Sequence, residues 1–186
     1  MRSQRAEPHS TAPAVCICPC HGPGRVVHPV PCCHSCPHCH QQVTVGFFES
    51  HVRCCQHESA LIAAFVAPTK RSRLRSLLRL PRRRRQVLEQ LAHFRSLDPR
   101  WVVPIASSDQ HANRIEAILR SRGAPESCYV VSENTALDGQ ELKLGDAISQ
   151  VVGLGMGTLI SCIPSRLAYF EGEGPSDRCL LQRSAA

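Results

Sequence analysis

The chain is poor in aromatic residues, with one Trp, two Tyr and five Phe among 186 residues. Too few ring faces are present for an extended base-stacking platform. It also lacks long apolar runs. No stretch approaches the roughly 18–20 apolar residues that a membrane-spanning helix requires. Lysine is nearly missing, since Arg outnumbers Lys twenty to two; a G+C-rich genome produces the same bias, so Arg preference alone does not establish phosphate recognition. Acidic residues are scarce in the first half. Residues 1–100 carry fifteen Lys+Arg against five Asp+Glu, a net of +10, whereas residues 101–186 carry seven against ten, a net of −3. The formal charge of +7 therefore belongs to the front of the chain. The opening MRSQRAEPHSTAPA has no apolar h-region. A secretory signal is not expected, and the setting read from this is cytoplasmic, or nuclear if eukaryotic. A disulfide scaffold, which needs an oxidising compartment, is correspondingly disfavoured.

What the front of the chain does have is cysteine and histidine. Nine of 12 Cys and seven of 10 His fall within residues 16–57. Phe47 and Phe48 are the only aromatics there, so apolar burial is small. Thiolates and imidazoles at short spacings suit zinc, which contributes about 10–16 kcal/mol to the folding of finger peptides. Carboxylates are almost absent, with Glu49 inside the segment and Glu58 beside it. A structural zinc fits that ligand set better than a catalytic one. In CPHC at 36–39, a tight turn can aim Cys36 and Cys39 at one point; His51, Cys54 and Cys55 follow.

The text CPHCHQQVTVGFFESHVRCC at 36–55 resembles the C2H2/C2HC zinc-finger family. The resemblance implies a hairpin carrying Cys36 and Cys39, and a short helix carrying His51 with Cys54 or Cys55. Val43 and Phe48 would form the small core between them. The gap is one residue shorter than the usual 12, the last ligand is Cys rather than His, and His57 competes as a fourth ligand. A second site is open just upstream, drawing on Cys16, Cys18, Cys20, His21, His28, Cys32 and Cys33. One Zn²⁺ is expected and two are possible.

The expected organisation is a disordered N-terminus at 1–15, a zinc module at 16–57, a basic linker at 58–85, and a compact α+β or α/β domain at 86–186. KRSRLRSLLRLPRRRR at 70–85 holds nine basic residues and no acidic one. Leu74, Leu77 and Leu78 at helical spacing predict a short amphipathic helix over 70–80, ended by Pro81. Beside a zinc module, Arg71, Arg73, Arg75, Arg82, Arg83, Arg84 and Arg85 are candidate nucleic-acid contacts. A solvated linker, an anionic-membrane contact, a calmodulin-type target and a nuclear localisation signal are the alternatives.

In the second half, periodicity predicts helices over 86–97, from Ser108 or Asp109 to Arg122, and over 144–152. Strands are predicted over 101–106, 128–132, 158–163 and 167–170, with Leu180 and Leu181 adding an edge strand. Glu171 and Glu173 read as exposed edge-strand charges. Cys162, with His111 and Asp109, is a weak nucleophile set beside the simpler reading of a buried thiol. Residues 153–157 (GLGMG) read as a flexible connector rather than a phosphate loop, since they follow a helix and precede a strand.

Three functions compete. The first is a zinc-binding regulatory protein touching DNA or RNA through the module and the Arg-rich arm, with Gln41, Gln42 and Arg53 available to read a groove. The second is a protein-interaction adaptor. The third is an enzyme with its site in the C-terminal domain.

Overall fold

A computed structural model describes residues 15–16, 26–27, 33–37 and 41–184. The chain divides into two compact units, Met1–Val52 and Arg53–Ala186.

In the first unit, β1 (Val15–Cys16) pairs antiparallel with β2 (Val26–Val27). β3 (Cys33–Ser35) pairs with β4 (Gln42–Thr44), with His34 opposite Val43. The Cys36 N–H donates to the Gln41 carbonyl at 2.9 Å, closing the turn beyond the ladder. β4 runs directly into α1 (Val45–Phe65). Val43 and Phe48 are half-buried, and Phe48 meets the His34 ring at 5.0 Å between centroids. The hairpin-then-helix order is the one the finger resemblance implies. The helix is not short, however: it spans 21 residues and passes through the unit boundary.

The second unit is built on a six-stranded antiparallel sheet in the order β5-β10-β9-β8-β6-β7. Its strands are β5 (Val102–Pro104), β6 (Ser127–Ser132), β7 (Glu141–Lys143), β8 (Thr158–Ile163), β9 (Leu167–Glu171) and β10 (Cys179–Gln182). Alternation along the strands separates two cores. Val130, Ile160, Tyr169 and Leu180 face α4 (Ala112–Ser121) and α5 (Leu144–Val151), meeting Ile115, Leu119 and Ile148. Tyr129, Val131, Phe170 and Leu181 face the other way and bury Leu61, Ala64 and Phe65 of α1 with Leu88 and Leu91. Burial on both sides explains why the central strands read as unbroken apolar runs. The result is an α+β unit with helices on both faces of the sheet.

α4 ends at Gly123, whose φ is +87°. The Gly123 N–H reaches the Arg120 carbonyl and the Ala124 N–H reaches that of Leu119, a Schellman closure that glycine permits. Its start differs from expectation. Ser107–Asp109 forms a separate 3-10 turn, and the Asp109 carboxylate accepts from Arg114 Nε at 3.0 Å instead of capping the helix.

Residues 58–85, read as a basic linker with a short amphipathic helix over 70–80, are mostly helical. They cover the end of α1, all of α2 (Pro68–Leu78) and the start of α3 (Pro81–Leu88). α2 matches the expected helix. Pro81 closes off one helix and opens the next. Leu80 before it is extended (φ −101°, ψ 116°), as a residue preceding proline prefers, and Pro81 supplies the fixed φ of a first helical turn. The helix expected over 86–97 accordingly lies earlier, and Leu91–His93 forms a 3-10 turn. The turn is held by backbone packing: a Cβ on Gly157 would lie 2.0 Å from the Ala92 nitrogen, and the Ala92 carbonyl accepts from the Glu173 N–H at 3.3 Å. β10 is also not an edge strand. It sits between β5 and β9, because the distant Val102–Pro104 segment pairs on its outer side. Among the described residues, no helix is long and apolar enough to cross a membrane.

Candidate metal centre

The hairpin turn carries Cys36, whose side chain is buried. α1 carries His51 and Cys55 four residues apart, hence one turn apart on one face. The ligand atoms of Cys36, His51 and Cys55 all lie within 4.8 Å of one another. In a tetrahedral zinc site with Zn–S about 2.3 Å and Zn–N about 2.0 Å, neighbouring ligand atoms stand about 3.5–3.8 Å apart. The three groups therefore fit around one ion with little adjustment. Two thiolates and an imidazole, one of them buried, are the donor chemistry of structural zinc.

The helix register selects among the alternatives the sequence left open. Cys54 lies about 100° around the helix from Cys55 and packs against the sheet core near Tyr129 and Leu61. His57 is engaged elsewhere. Its Nδ1 is 2.9 Å from the Ser161 hydroxyl, and its ring stacks on Tyr129 at 5.3 Å between centroids. Burial lowers the His57 pKa, with Glu141 partly opposing the shift. Cys39, the expected partner of Cys36, lies outside the described residues, as do Cys18, Cys20, His21, His28 and Cys32. Cys16 and Cys33 are described only as members of β1 and β3. The second metal site therefore falls outside the described residues.

The arginines part company. Arg84 on α3 is drawn inward, its guanidinium forking onto Asp138 at 2.9 and 2.8 Å and reaching Glu58 Oε1 at 2.7 Å. The Tyr129 hydroxyl donates to the same Glu58 oxygen at 2.7 Å. Burial works against the Arg84 charge, but the bonds to Asp138 and Glu58 outweigh it and raise the pKa. Periodicity carried no sign of this four-residue network; a lone Glu58 and a turn Asp138 were its only marks in the sequence. Arg71 donates to the Val66 carbonyl at 2.8 Å, tying α2 to the end of α1. Arg75 is half-buried, with its Nε enclosed and unbonded. Arg85 pairs with Glu89 at 2.8 Å on the surface, and Arg83 meets Gln86 at 3.3 Å. Arg73 and Arg82 are exposed. Arg53 pairs with Glu141 at 3.1 Å.

Glu171 corrects the reading of an exposed edge charge. It is fully buried on the inner strand β9, accepting from Arg178 Nε at 3.0 Å, from the Gly153 N–H at 3.1 Å and from the Tyr169 hydroxyl. Glu173 alone is exposed and meets His93 at 3.1 Å. Cys162 is buried in the sheet core, where burial raises its pKa; Cys128 and Cys179 are pushed up to about 12 by the same cause. Thiols held neutral in an apolar core are poor nucleophiles.

Compared with protein-family models, curated proteins and solved structures, the chain matches none of them.

Proposed function

We propose that the protein is a zinc-stabilised regulatory module that contacts a polyanion, with nucleic acid as the partner class. The observation that carries the reading is the convergence of Cys36, His51 and Cys55. Zinc would fix the hairpin against α1 where the segment's own apolar residues are few. Cys39 is the natural fourth ligand by spacing. When bound, the ion supplies folding energy, with no part assigned to it in a reaction.

The basic surface then falls to Arg73, Arg82, Arg83 and Arg85 on α2 and α3, since Arg71 and Arg84 are committed within the fold. Four phosphate contacts on duplex DNA imply a slope of log K against log salt of about −3.6. The test is retention of the zinc-loaded chain on immobilised DNA and RNA across a salt series, against Arg82→Gln/Arg83→Gln. Retention with that salt dependence, reduced in the variant, supports the reading. No retention at low salt with metal loaded excludes it.

The adaptor reading is favoured by one observation: the Arg-rich stretch is folded into helices rather than left as an open arm, and half-buried Arg84 spends its charge internally. Loss of nucleic-acid retention with an intact metal centre would point there.

A further inference from the structure

A groove of about 490 Å³ opens between α2 and residues 87–96, within the second unit. Helical spacing builds one wall: Lys70, Arg73, Leu74 and Leu77 follow at i, i+3, i+4 and i+7 along one face of α2. Val87 and Phe94 complete the apolar floor with Leu74 and Leu77. His93 and Arg95 stand on the opposite rim. Those two are partly neutralised from outside, His93 by Glu173 at 3.1 Å and Arg95 by Asp177 at 3.5 Å. Lys70 and Arg73 form no ion pair among the described residues, and no carboxylate lines the groove.

We propose that this groove binds a small anionic amphiphile, with a carboxylate or phosphate headgroup on Lys70 and Arg73 and an aliphatic body over Leu74, Leu77, Val87 and Phe94. Charge complementarity selects the headgroup, because the unpaired cations sit on one rim with nothing acidic facing them. The aliphatic floor selects the body. The size selects a small molecule, since ligand pockets span about 300–1,000 Å³, whereas a nucleic-acid duplex would rest on the rim and leave the floor wet. The inference does not rest on the metal centre; it shares Arg73 with the proposed nucleic-acid surface, but Arg82, Arg83 and Arg85 do not line the groove.

The experiment is calorimetric titration of the full, zinc-loaded chain with decanoate, decanol and inorganic phosphate. Decanoate is expected to bind saturably, with decanol and phosphate each weaker by about tenfold or more. Lys70→Gln/Arg73→Gln, at two exposed positions, should weaken decanoate by about tenfold while leaving the melting temperature unchanged. Arg82→Gln/Arg83→Gln should leave decanoate binding unaltered. Absence of saturable decanoate binding, decanol or phosphate binding as tightly as decanoate, or indifference to the Lys70 and Arg73 changes each overturns the proposal.

Discussion

Arg84 and Asp138 are joined by two parallel hydrogen bonds, Nε to Oδ2 at 2.9 Å and Nη2 to Oδ1 at 2.8 Å, across 54 residues of sequence. The pair fastens α3 to the turn after β6, and Glu58 brings α1 and Tyr129 into the same network. A residue that reads as one of four consecutive surface arginines is thus an internal clamp.

Arg84→Gln should therefore cost about 2–3 kcal/mol of unfolding free energy, because it strands two carboxylates with little exposure. Tyr129→Phe, which removes one bond to Glu58, should cost about 1 kcal/mol. Arg82→Gln should stay within about 0.5 kcal/mol. Urea unfolding monitored by circular dichroism measures all three. Equal effects at positions 82 and 84 would remove the clamp.

The metal centre predicts a pattern among neighbouring cysteines. Cys36→Ser and Cys55→Ser should each abolish stoichiometric zinc in native mass spectrometry, whereas Cys54→Ser should retain it, since Cys54 packs against the sheet core. Chelation should expose the hairpin to protease while the sheet of the second unit persists. Zinc lost at Cys54 and kept at Cys55 would mean that the helix presents its other face to the ion.

Gly157 is a steric prediction. A Cβ there would stand 2.0 Å from the Ala92 nitrogen and 2.3 Å from the Leu91 carbonyl carbon, both backbone atoms that have no flexible end to move aside. Gly157→Ala should destabilise by about 2 kcal/mol or more. Gly46→Ala, where a Cβ meets nothing within 4 Å, is the matched control. Similar melting temperatures for the two variants would contradict this packing.

Acid sensitivity follows from Asp98. Its side chain accepts from Arg100 Nε at 3.0 Å, Nη2 at 2.7 Å and the backbone N–H at 3.2 Å, and these bonds hold its pKa below the model-peptide value of 3.8. A depressed carboxyl pKa stabilises the fold at pH values above the unfolded-state value, and the gain disappears as pH falls through the folded-state value. Asp98→Asn should lower stability at neutral pH and flatten its decline below about pH 4. Melting curves between pH 2.5 and 7 provide the check; parallel curves for the two proteins would refute the assignment.

Local rules carried a definite part of the fold. The strands at 128–132 and 158–163 were legible because β-branched and aliphatic residues cluster between turn signals. The Gly123 closure was legible because glycine alone takes φ +87° without a steric penalty. What misled was context. Glu171 looked like an edge charge only because nothing local reveals that β10 flanks β9, or that Arg178 lies within reach. The short helix over 70–80 was legible from Leu74, Leu77 and Leu78 at helical spacing, but not that Leu74 and Leu78 share an apolar pocket with Leu61, Phe65 and Leu88.

The sequence by itself determined the ligand chemistry of the front portion and the positions of most strands, since both depend on residue type at short spacing. Only the tertiary structure decided that Cys55 rather than Cys54 joins Cys36 and His51, because rotation about a helix axis is fixed by what its other face must bury. It likewise decided which arginines are clamps and which remain exposed, because a guanidinium's role is set by the carboxylates that distant segments bring to it.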